Sequence, residues 1–245
     1  MPMIPNKKIC ILGKNSFVAN GLAKYWDSSS IRIVSINDGW DDVRQAVTWA
    51  DIVINCTGVS RSKNESDFFK VNFHYNSMLI DVINEMESTK YVTFSSIHYS
   101  NMDIYGYSQR YKEYLAGCVT GSNSSVIVRL PGVYGAEARP NYVSVVSTFF
   151  YNNIMKLESQ IIDPDKLIQL IHIRRLAEEL GLVLEDDHQD ESRIFCPPHS
   201  EVTVGNLYES IRSLCSNVTL RDSPLDKYLV SGLTETYNDI LELEV

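Results

Sequence analysis

The feature of this sequence that most constrains its fold is a series of short apolar runs separated by longer segments with helical spacing. The runs are KICIL at 8–12, IRIVSI at 31–36, DIVINC at 51–56, YVTFSS at 91–96 and SVIVRL at 125–130. Amphipathic segments lie at 41–50, 67–87, 105–119 and 142–156. Fully apolar runs are typical of strands covered on both faces, and strands that alternate with helices pair in parallel. The sequence therefore predicts an α/β fold with a doubly wound parallel sheet.

In the second half of the chain, strand-like and helix-like segments alternate less regularly. Its patterns predict strands at 167–173 and 193–197 and helices at 174–186 and 203–215. No linker rich in Gly or Ser separates it from the first half. We expect a Rossmann-like core at 1–135 and a small C-terminal lobe at 136–245, with the segment 167–186 returning to the core.

Composition excludes several classes of protein. The chain has 22 Lys and Arg against 31 Asp and Glu, a net charge of −9, which disfavours binding to nucleic acid. No apolar run approaches the roughly 20 residues that cross a membrane. The five cysteines are scattered and odd in number, and the pair Cys196 and His199 has no second ligand pair nearby, so we expect neither disulfides nor a metal site. The N-terminus shows no cleavable signal pattern, and we expect a cytoplasmic protein.

The turn after the first apolar run is typical of a dinucleotide-binding site. Such a turn needs a Gly and then two small residues, and these positions read Gly13, Ser16 and Ala19. Ser16 is bulkier than the usual Gly, although its hydroxyl could donate to a phosphate oxygen. An ordinary turn between a strand and a helix is the alternative. The cofactor-binding residues predicted here are Gly13, Lys14, Asn15, Ser16, Phe17 and Val18.

Two further segments complete the predicted cofactor site. Asp38 follows the second strand, where an acid would bind ribose hydroxyls and disfavour a 2′-phosphate, whereas Lys14 would favour one. The choice between NAD and NADP therefore stays open. The third strand is followed by Thr57, Gly58 and Val59, where a Gly lets a cofactor pass close to the backbone, unless the Gly serves only a tight turn.

The order of motifs along the chain resembles the extended short-chain dehydrogenase/reductase superfamily, in its NAD-dependent epimerase/dehydratase group. After the Gly-containing turns come a strand-end Ser95-Ser96, a YGxS segment that begins at Tyr105, and RLPGVYG at 129–135. The last segment is similar to the group's RxxNVYG stretch, with Gly132 in place of Asn. The resemblance covers roughly residues 7–215.

Within this group the chain is most similar to the reductase domain of capsule and O-antigen enzymes that reduce a UDP-linked 4-keto-6-deoxy-N-acetylhexosamine. The matching segments are the loop at 58–61 and the stretch at 139–144. Those enzymes usually carry a C-terminal cupin-like domain, and the present sequence ends without one. The resemblance therefore does not imply the epimerisation that belongs to that second domain.

The resemblance implies catalytic roles for three positions. A strand-end Ser, here Ser96 with Ser95 as the fallback, and a Tyr, here Tyr105, share the reacting oxygen. The Lys expected four residues after the Tyr is Gln109, and Lys112 is about two helical turns from Tyr105. Without a nearby charge we expect the phenol to titrate near its ordinary pKa of about 10, in the form that protonates an alkoxide.

The resemblance also implies a substrate site and a function. The substrate-binding candidates are Arg61, His98, Arg139, Asn141 and Tyr142. The expected function is an NAD(P)-dependent nucleotide-sugar reductase in surface polysaccharide or deoxysugar synthesis. A homodimer is one possible oligomeric state. A nucleotide-sugar 4-epimerase or dehydratase that holds NAD tightly, and a non-catalytic protein that only binds the cofactor, are the alternatives.

Overall fold

A computed structural model describes residues 7–26, 29–142, 144–186, 192–220 and 223–243. The chain forms two compact units. The first contains the described residues up to Leu130 together with Ala177–Pro197, and the second contains Pro131–Leu176 and the residues from Pro198 onward. The chain passes back from the second unit to the first within one helix, after Leu176.

The first unit is built on a six-stranded sheet in which all neighbouring strands run parallel. In spatial order its strands are β2 (Ile31–Val34), β1 (Ile9–Leu12), β3 (Ile52–Asn55), β4 (Lys90–Ser96), β5 (Ser124–Leu130) and β8 (Ser192–Phe195). Strands β1, β3 and β4 are buried along their whole length, as their continuous apolar runs predict. The predicted doubly wound α/β fold is confirmed.

Helices flank this sheet between the strands. They are α1 (Phe17–Trp26), α2 (Trp40–Trp49), α3 (Glu65–Phe68), α4 (Asn76–Asn84), α5 (Ile104–Ala116) and α7 (Ile173–Glu185). A π-helical segment, Phe69–Tyr75, joins α3 to α4, so the helix predicted at 67–87 is not regular. Apolar residues of α2, α4 and α5 pack on one face of the sheet in a single buried cluster.

The order of the strands creates a crevice beside β1. The chain leaves β1 for β2 on one side and returns to β3 on the other, so Leu12 pairs with both Val34 and Asn55. Such a point, where the direction of strand addition reverses, leaves a crevice at the carboxyl ends of the strands. The loops that follow β1 and β3 therefore begin side by side.

Among its described residues, the second unit contains a three-stranded sheet, three whole helices and the first turn of α7. Strand β6 (Gly132–Tyr134) runs parallel to β7 (Leu167–His172), and β9 (Ser200–Thr203) pairs antiparallel with β7. The helices are α6 (Val145–Ile154), α8 (Val204–Cys215) and α9 (Lys227–Leu243). Their apolar faces form a separate core. Sequence patterns did not identify β6, β9 or α9.

Two arginines at the start of α7 have partners on α9. Cations at a helix N-terminus oppose the helix dipole, and the sequence left open whether they are solvated or bind an anion. Arg174 forms an ion pair with Glu235 at 2.8 Å. The Arg175 guanidinium lies 3.6 Å from the centre of the Tyr228 ring. These contacts give both charges a role in holding α9.

No helix among the described residues is both long enough and apolar enough to cross a membrane.

Candidate functional site

The turn after β1 has the backbone that a close ligand approach requires. Gly13 has a φ of +111°, a conformation that side chains with a Cβ rarely adopt. A Cβ at Gly13 would lie 3.2 Å from both the carbonyl carbon and the oxygen of Cys56. The turn is closed by the Ser16 amide, which donates to the Gly13 oxygen at 2.6 Å. Glycine at position 13 thus permits the loops after β1 and β3 to touch.

The predicted phosphate-binding residues surround the start of α1. Lys14 and Asn15 are exposed, while Ser16, Phe17 and Val18 are half-buried. The first amides of a helix have no partner within it, and they attract anions because the helix dipole is positive there. The exposed turn and the start of α1 fit a diphosphate, although the Ser16 side chain leaves less room for it than a Gly would.

Asp38 lies four residues beyond β2, in a short 3-10 helix that begins at Ile36. One oxygen of its carboxylate accepts a hydrogen bond from the Ser35 amide at 2.8 Å. This contact caps the helix and fixes the side chain, which is exposed. Asp38 therefore has a structural role in addition to the ribose contact that the sequence predicts for it.

The loop after β3 is held by two buried asparagines. Asn55 accepts hydrogen bonds from the Thr57 amide at 3.0 Å and from the Thr57 hydroxyl at 2.5 Å. Asn72 binds both backbone groups of Val59: its Oδ1 accepts from the amide at 2.7 Å and its Nδ2 donates to the carbonyl at 2.9 Å. Gly58, between these anchors, is exposed. The predicted cofactor loop Thr57–Val59 is thus fixed on both sides of its glycine.

The π-helical segment places Asn72 in this position. Its Nδ2 also donates to the Ser108 hydroxyl on α5 at 2.9 Å, so one side chain joins the loop to that helix. π-helical turns are rare and are found frequently at functional sites. Asn72 is fully buried and was not among the predicted site residues. Its apolar neighbours at 71 and 73 gave no pattern that would have distinguished it.

Ser96 and Tyr105 are brought together, as the resemblance implies. Ser96 ends β4, Tyr105 lies in the first turn of α5, and the Ser96 side chain is near enough to affect the pKa of the phenol. The Ser96 oxygen also accepts from the His98 amide at 3.1 Å. Burial raises the pKa of the Tyr105 phenol above its ordinary value, with smaller effects from Ser96, which lowers it, and Asp103, which raises it. The expected ordinary pKa is therefore wrong, because the phenol is partly buried, and the neutral form is favoured further.

The neighbouring Ser95 has a different partner. Its hydroxyl donates to Glu113 at 2.6 Å. Glu113 also receives two hydrogen bonds from the guanidinium of Arg129, at 2.9 and 2.8 Å. That guanidinium stacks on the Tyr99 ring at 3.6 Å from its centre. Because Ser95 is held in this network, Ser96 is the serine placed to act with Tyr105.

Gln109 and Lys112 are both buried, each with 4% of its surface exposed. Gln109 makes a long contact of 3.5 Å with the Ser108 hydroxyl. Lys112 points back along the helix, and its Nζ donates to the carbonyl oxygens of Phe94 at 2.6 Å and Thr57 at 3.2 Å. Its backbone is two turns from Tyr105, but its ammonium reaches the carboxyl ends of β3 and β4.

The predicted substrate-binding residues are divided between the two units. Arg61 and His98 belong to the first unit and are exposed. Arg139, Asn141 and Tyr142 belong to the second and are exposed there. The Arg139 guanidinium lies 5.6 Å from the centre of the Tyr142 ring. Asn141 has a φ of +57°, and its amide donates to the Thr148 hydroxyl at 2.9 Å, just before α6.

Within the described ranges, no group of three or more His, Cys, Asp and Glu side chains lies close enough to hold a metal ion.

Comparison with known proteins relates the chain to sugar-modifying enzymes. No protein-family model matches the chain. It is 24% identical over 243 residues to the UDP-2-acetamido-2,6-beta-L-arabino-hexul-4-ose reductase of Pseudomonas aeruginosa, covering 96% of this chain and 65% of that protein. The capsular polysaccharide assembling protein CapF from Staphylococcus aureus has a TM-score of 0.76 at 22% identity, covering 94% of this chain and 64% of that one.

A third similar protein is matched over its full length. MoeE5, solved in complex with UDP-glucose and NAD, has a TM-score of 0.81 at 13% identity, and the match covers 97% of this chain and 100% of MoeE5. The chain spans less than two thirds of the Pseudomonas reductase and of CapF. At these identities the structural matches show the fold. In sequence this chain is therefore similar to a UDP-linked hexul-4-ose reductase, and in fold it is similar to CapF and to MoeE5.

Proposed function

We propose that this chain is an NAD(P)-dependent oxidoreductase that reduces the keto group of a nucleotide-linked 4-keto sugar. The observation that carries the proposal is the placement of Ser96, at the end of β4, beside Tyr105, in the first turn of α5, where burial keeps the phenol neutral. The relative from Pseudomonas is named as a reductase of a UDP-linked hexul-4-ose, and MoeE5 binds NAD and UDP-glucose. Both names support a UDP-linked sugar as the class of substrate, and the MoeE5 complex supports NAD as the cofactor.

The residues of the site fit a dinucleotide. Gly13 and the start of α1 would hold the diphosphate of the dinucleotide. Thr57–Val59 would lie along another part of the same dinucleotide. A bound NAD(P)H supplies the hydride for this chemistry. Asp38 favours NAD and Lys14 favours NADP, so both cofactors belong in the test.

The protein's own residues perform the proton transfer. The Ser96 hydroxyl and the Tyr105 phenol donate hydrogen bonds to the keto oxygen, which stabilises the negative charge that develops on it. Tyr105 then gives its proton to that oxygen. Because burial raises the pKa of Tyr105, the phenol retains its proton at neutral pH. This arrangement favours ketone reduction over alcohol oxidation.

The substrate residues are assigned by resemblance and by chemistry. Arg139 suits a phosphate of the nucleotide, because a guanidinium donates two parallel hydrogen bonds to such a group. Arg61, His98, Asn141 and Tyr142 are the other proposed contacts, and all are exposed.

The direct test is turnover. Reduced cofactor, either NADH or NADPH, is mixed with UDP- or dTDP-linked 4-keto sugars, and loss of its absorbance is followed. The proposal expects stoichiometric oxidation of added cofactor. Turnover that needs no added cofactor, with NAD retained through purification, would instead identify an epimerase or dehydratase. Thermal stabilisation by cofactor without any turnover would identify a non-catalytic binding protein.

Installing a lysine at Gln109 is expected to shift the pH dependence of alcohol oxidation toward neutral pH. Oxidation needs the phenolate of Tyr105, so its rate rises as pH approaches the raised pKa. A cation four residues away, on the same helix face, favours the phenolate and lowers that pKa. A tenfold change in the protonation equilibrium corresponds to about 1.4 kcal/mol.

The measurement compares pH–rate profiles of the parent, Gln109→Lys and the uncharged control Gln109→Met. We expect Gln109→Met to keep the parent's profile. Identical profiles for parent and Gln109→Lys, in two active proteins, would show that position 109 does not act on Tyr105.

Two broader expectations stay predictions. Self-association as a homodimer would be measured by sedimentation velocity, and cytoplasmic localisation by cell fractionation.

A further inference from the structure

Lys112 is a buried cation whose described surroundings contain no anionic partner. Its side chain is 4% exposed, and its two hydrogen bonds go to the neutral carbonyl groups of Thr57 and Phe94. Among the described residues, no carboxylate pairs with it. Burial of an unpaired charge is unfavourable, and buried lysines are normally satisfied by several acceptors. The ammonium is therefore available to a further acceptor.

One N–H of this ammonium has no acceptor among the residues that the structure describes. An ammonium has three N–H groups, and two of them are used by the carbonyls. Gly58 lies beside this ammonium. A Cβ built on Gly58 would be 3.6 Å from Nζ and 3.6 Å from Oδ1 of Asn72. A ligand atom near that place would come within hydrogen-bonding reach of Lys112.

We propose that Lys112 is a ligand-binding residue, which donates a hydrogen bond past Gly58 to an acceptor oxygen of the bound dinucleotide. The inference rests on the proposed function, which places a dinucleotide at the Thr57–Val59 loop. It adds a cation to a site in which position 109 carries no charge. A ribose hydroxyl and a phosphate oxygen offer the same acceptor chemistry to this ammonium.

The surroundings of Lys112 make its charge, and therefore dinucleotide binding, depend on pH. Burial lowers the pKa of Lys112 to about 8, and the nearby Cys56 thiol opposes this lowering. Burial raises the pKa of that thiol, so it is neutral. Tyr105, on the same helix, is neutral for the same reason, and Glu113 binds Ser95 and Arg129. Asn72 from the π-helical segment and the β4 carbonyl carry no charge.

The sign of the pH effect follows from these groups. An acceptor oxygen stabilises the charged ammonium, so the pKa of Lys112 rises when the dinucleotide binds. Below the free pKa the side chain is already protonated, and binding exchanges no proton. From about pH 8 upward, binding takes up a proton, and affinity falls as pH rises. If dinucleotide binding raises the proton affinity of Lys112 tenfold, the affinity for the dinucleotide falls about tenfold as pH rises through this range.

The experiment is calorimetric titration of NADH into the full chain, in two buffers of different ionisation enthalpy, near pH 8 and near pH 6. The difference in heat between buffers counts protons. We expect an uptake of about half a proton near pH 8, where free Lys112 is half-protonated, and almost none near pH 6.

Two variants remove the effect in different ways. Lys112→Met replaces the ammonium with an apolar chain of similar length, and should abolish proton uptake and weaken NADH binding. Gly58→Ala places a methyl group at ordinary contact distance from Nζ, so the fold is retained while the ammonium is covered. We expect it to weaken binding and reduce the uptake as well.

Lys90 provides the matched control. It is also a buried lysine that donates to two carbonyls, of Leu184 and Asp186, but it lies at the opposite end of β4. Lys90→Met should keep the uptake of the parent.

The outcomes separate the two proposals. NADH that binds without proton uptake near pH 8, or with equal uptake in Lys112→Met, overturns the role of Lys112 and leaves the proposed function intact. A chain that binds neither NADH nor NADPH overturns the proposed function, and this role with it.

Discussion

Replacing Tyr105 with Phe is expected to lower turnover of a 4-keto nucleotide sugar by about 100- to 10,000-fold, because the variant has no proton to donate. The substitution removes one hydroxyl and keeps the ring. Ser96 retains its hydrogen bond from the His98 amide. One lost hydrogen bond costs about 1 kcal/mol, or a decrease of roughly 2–4 °C in melting temperature for a chain of this size.

The control is Tyr107→Phe on the same helix. Tyr107 is exposed, and its ring lies 4.6 Å from the Arg110 guanidinium, a contact that Phe also makes. We expect this variant to turn over like the parent. Parent-like turnover by Tyr105→Phe would remove the tyrosine from the chemistry, and its place near Ser96 would then be only structural.

Gly13→Ala is expected to abolish cofactor binding while the chain stays folded. A residue with a Cβ is strained at a φ of +111°, at a cost of about 1–3 kcal/mol. The new methyl group would also lie 3.2 Å from the Cys56 backbone and push the loops after β1 and β3 apart. Circular dichroism should show an intact fold with a lower melting temperature, and NADH titration should show no binding.

Gly121→Ala is a control that separates the effect of backbone strain from the effect of a methyl group that pushes the two loops apart. Gly121 also has a positive φ, of +75°, but nothing lies within 4 Å of its added Cβ, and it is in the loop before β5, far from the carboxyl ends of the strands. This variant should lose stability and keep its NADH affinity. If Gly13→Ala binds NADH as tightly as Gly121→Ala does, the turn after β1 does not hold the cofactor.

Sequence patterns located most of the first unit because its strands are covered on both faces. The run at 8–12 predicted β1, which is buried throughout, and the apolar segment at 125–130 predicted β5. Burial on both faces leaves a continuous apolar signal. The second unit offered weaker signals: β6 is three residues long, and β9 alternates between buried and exposed positions in a four-residue strand.

Ser96 and Tyr105 show how much of the site can be predicted from the order of motifs along the chain. The resemblance named Ser96 and Tyr105 together, with Ser95 as the fallback, and the structure places Ser96 near the phenol. Adjacent residues on a strand face opposite ways, so the two serines have different partners. Only the fold shows that Ser95 points to Glu113.

The sequence by itself determined the strand and helix order, the glycine turns after β1 and β3, and the absence of a lysine at position 109. It determined them because the spacing of apolar residues and the backbone freedom of glycine can be recognised from residues that are neighbours in the chain. Tertiary structure alone decided the positions of Asn72 and Lys112. Asn72 reaches Val59 because a π-helical segment turns it inward. Lys112 reaches Thr57, 55 residues earlier in the chain, because its long side chain extends back along α5 into the ends of two strands. Contacts between residues so far apart depend on packing, which no local pattern encodes.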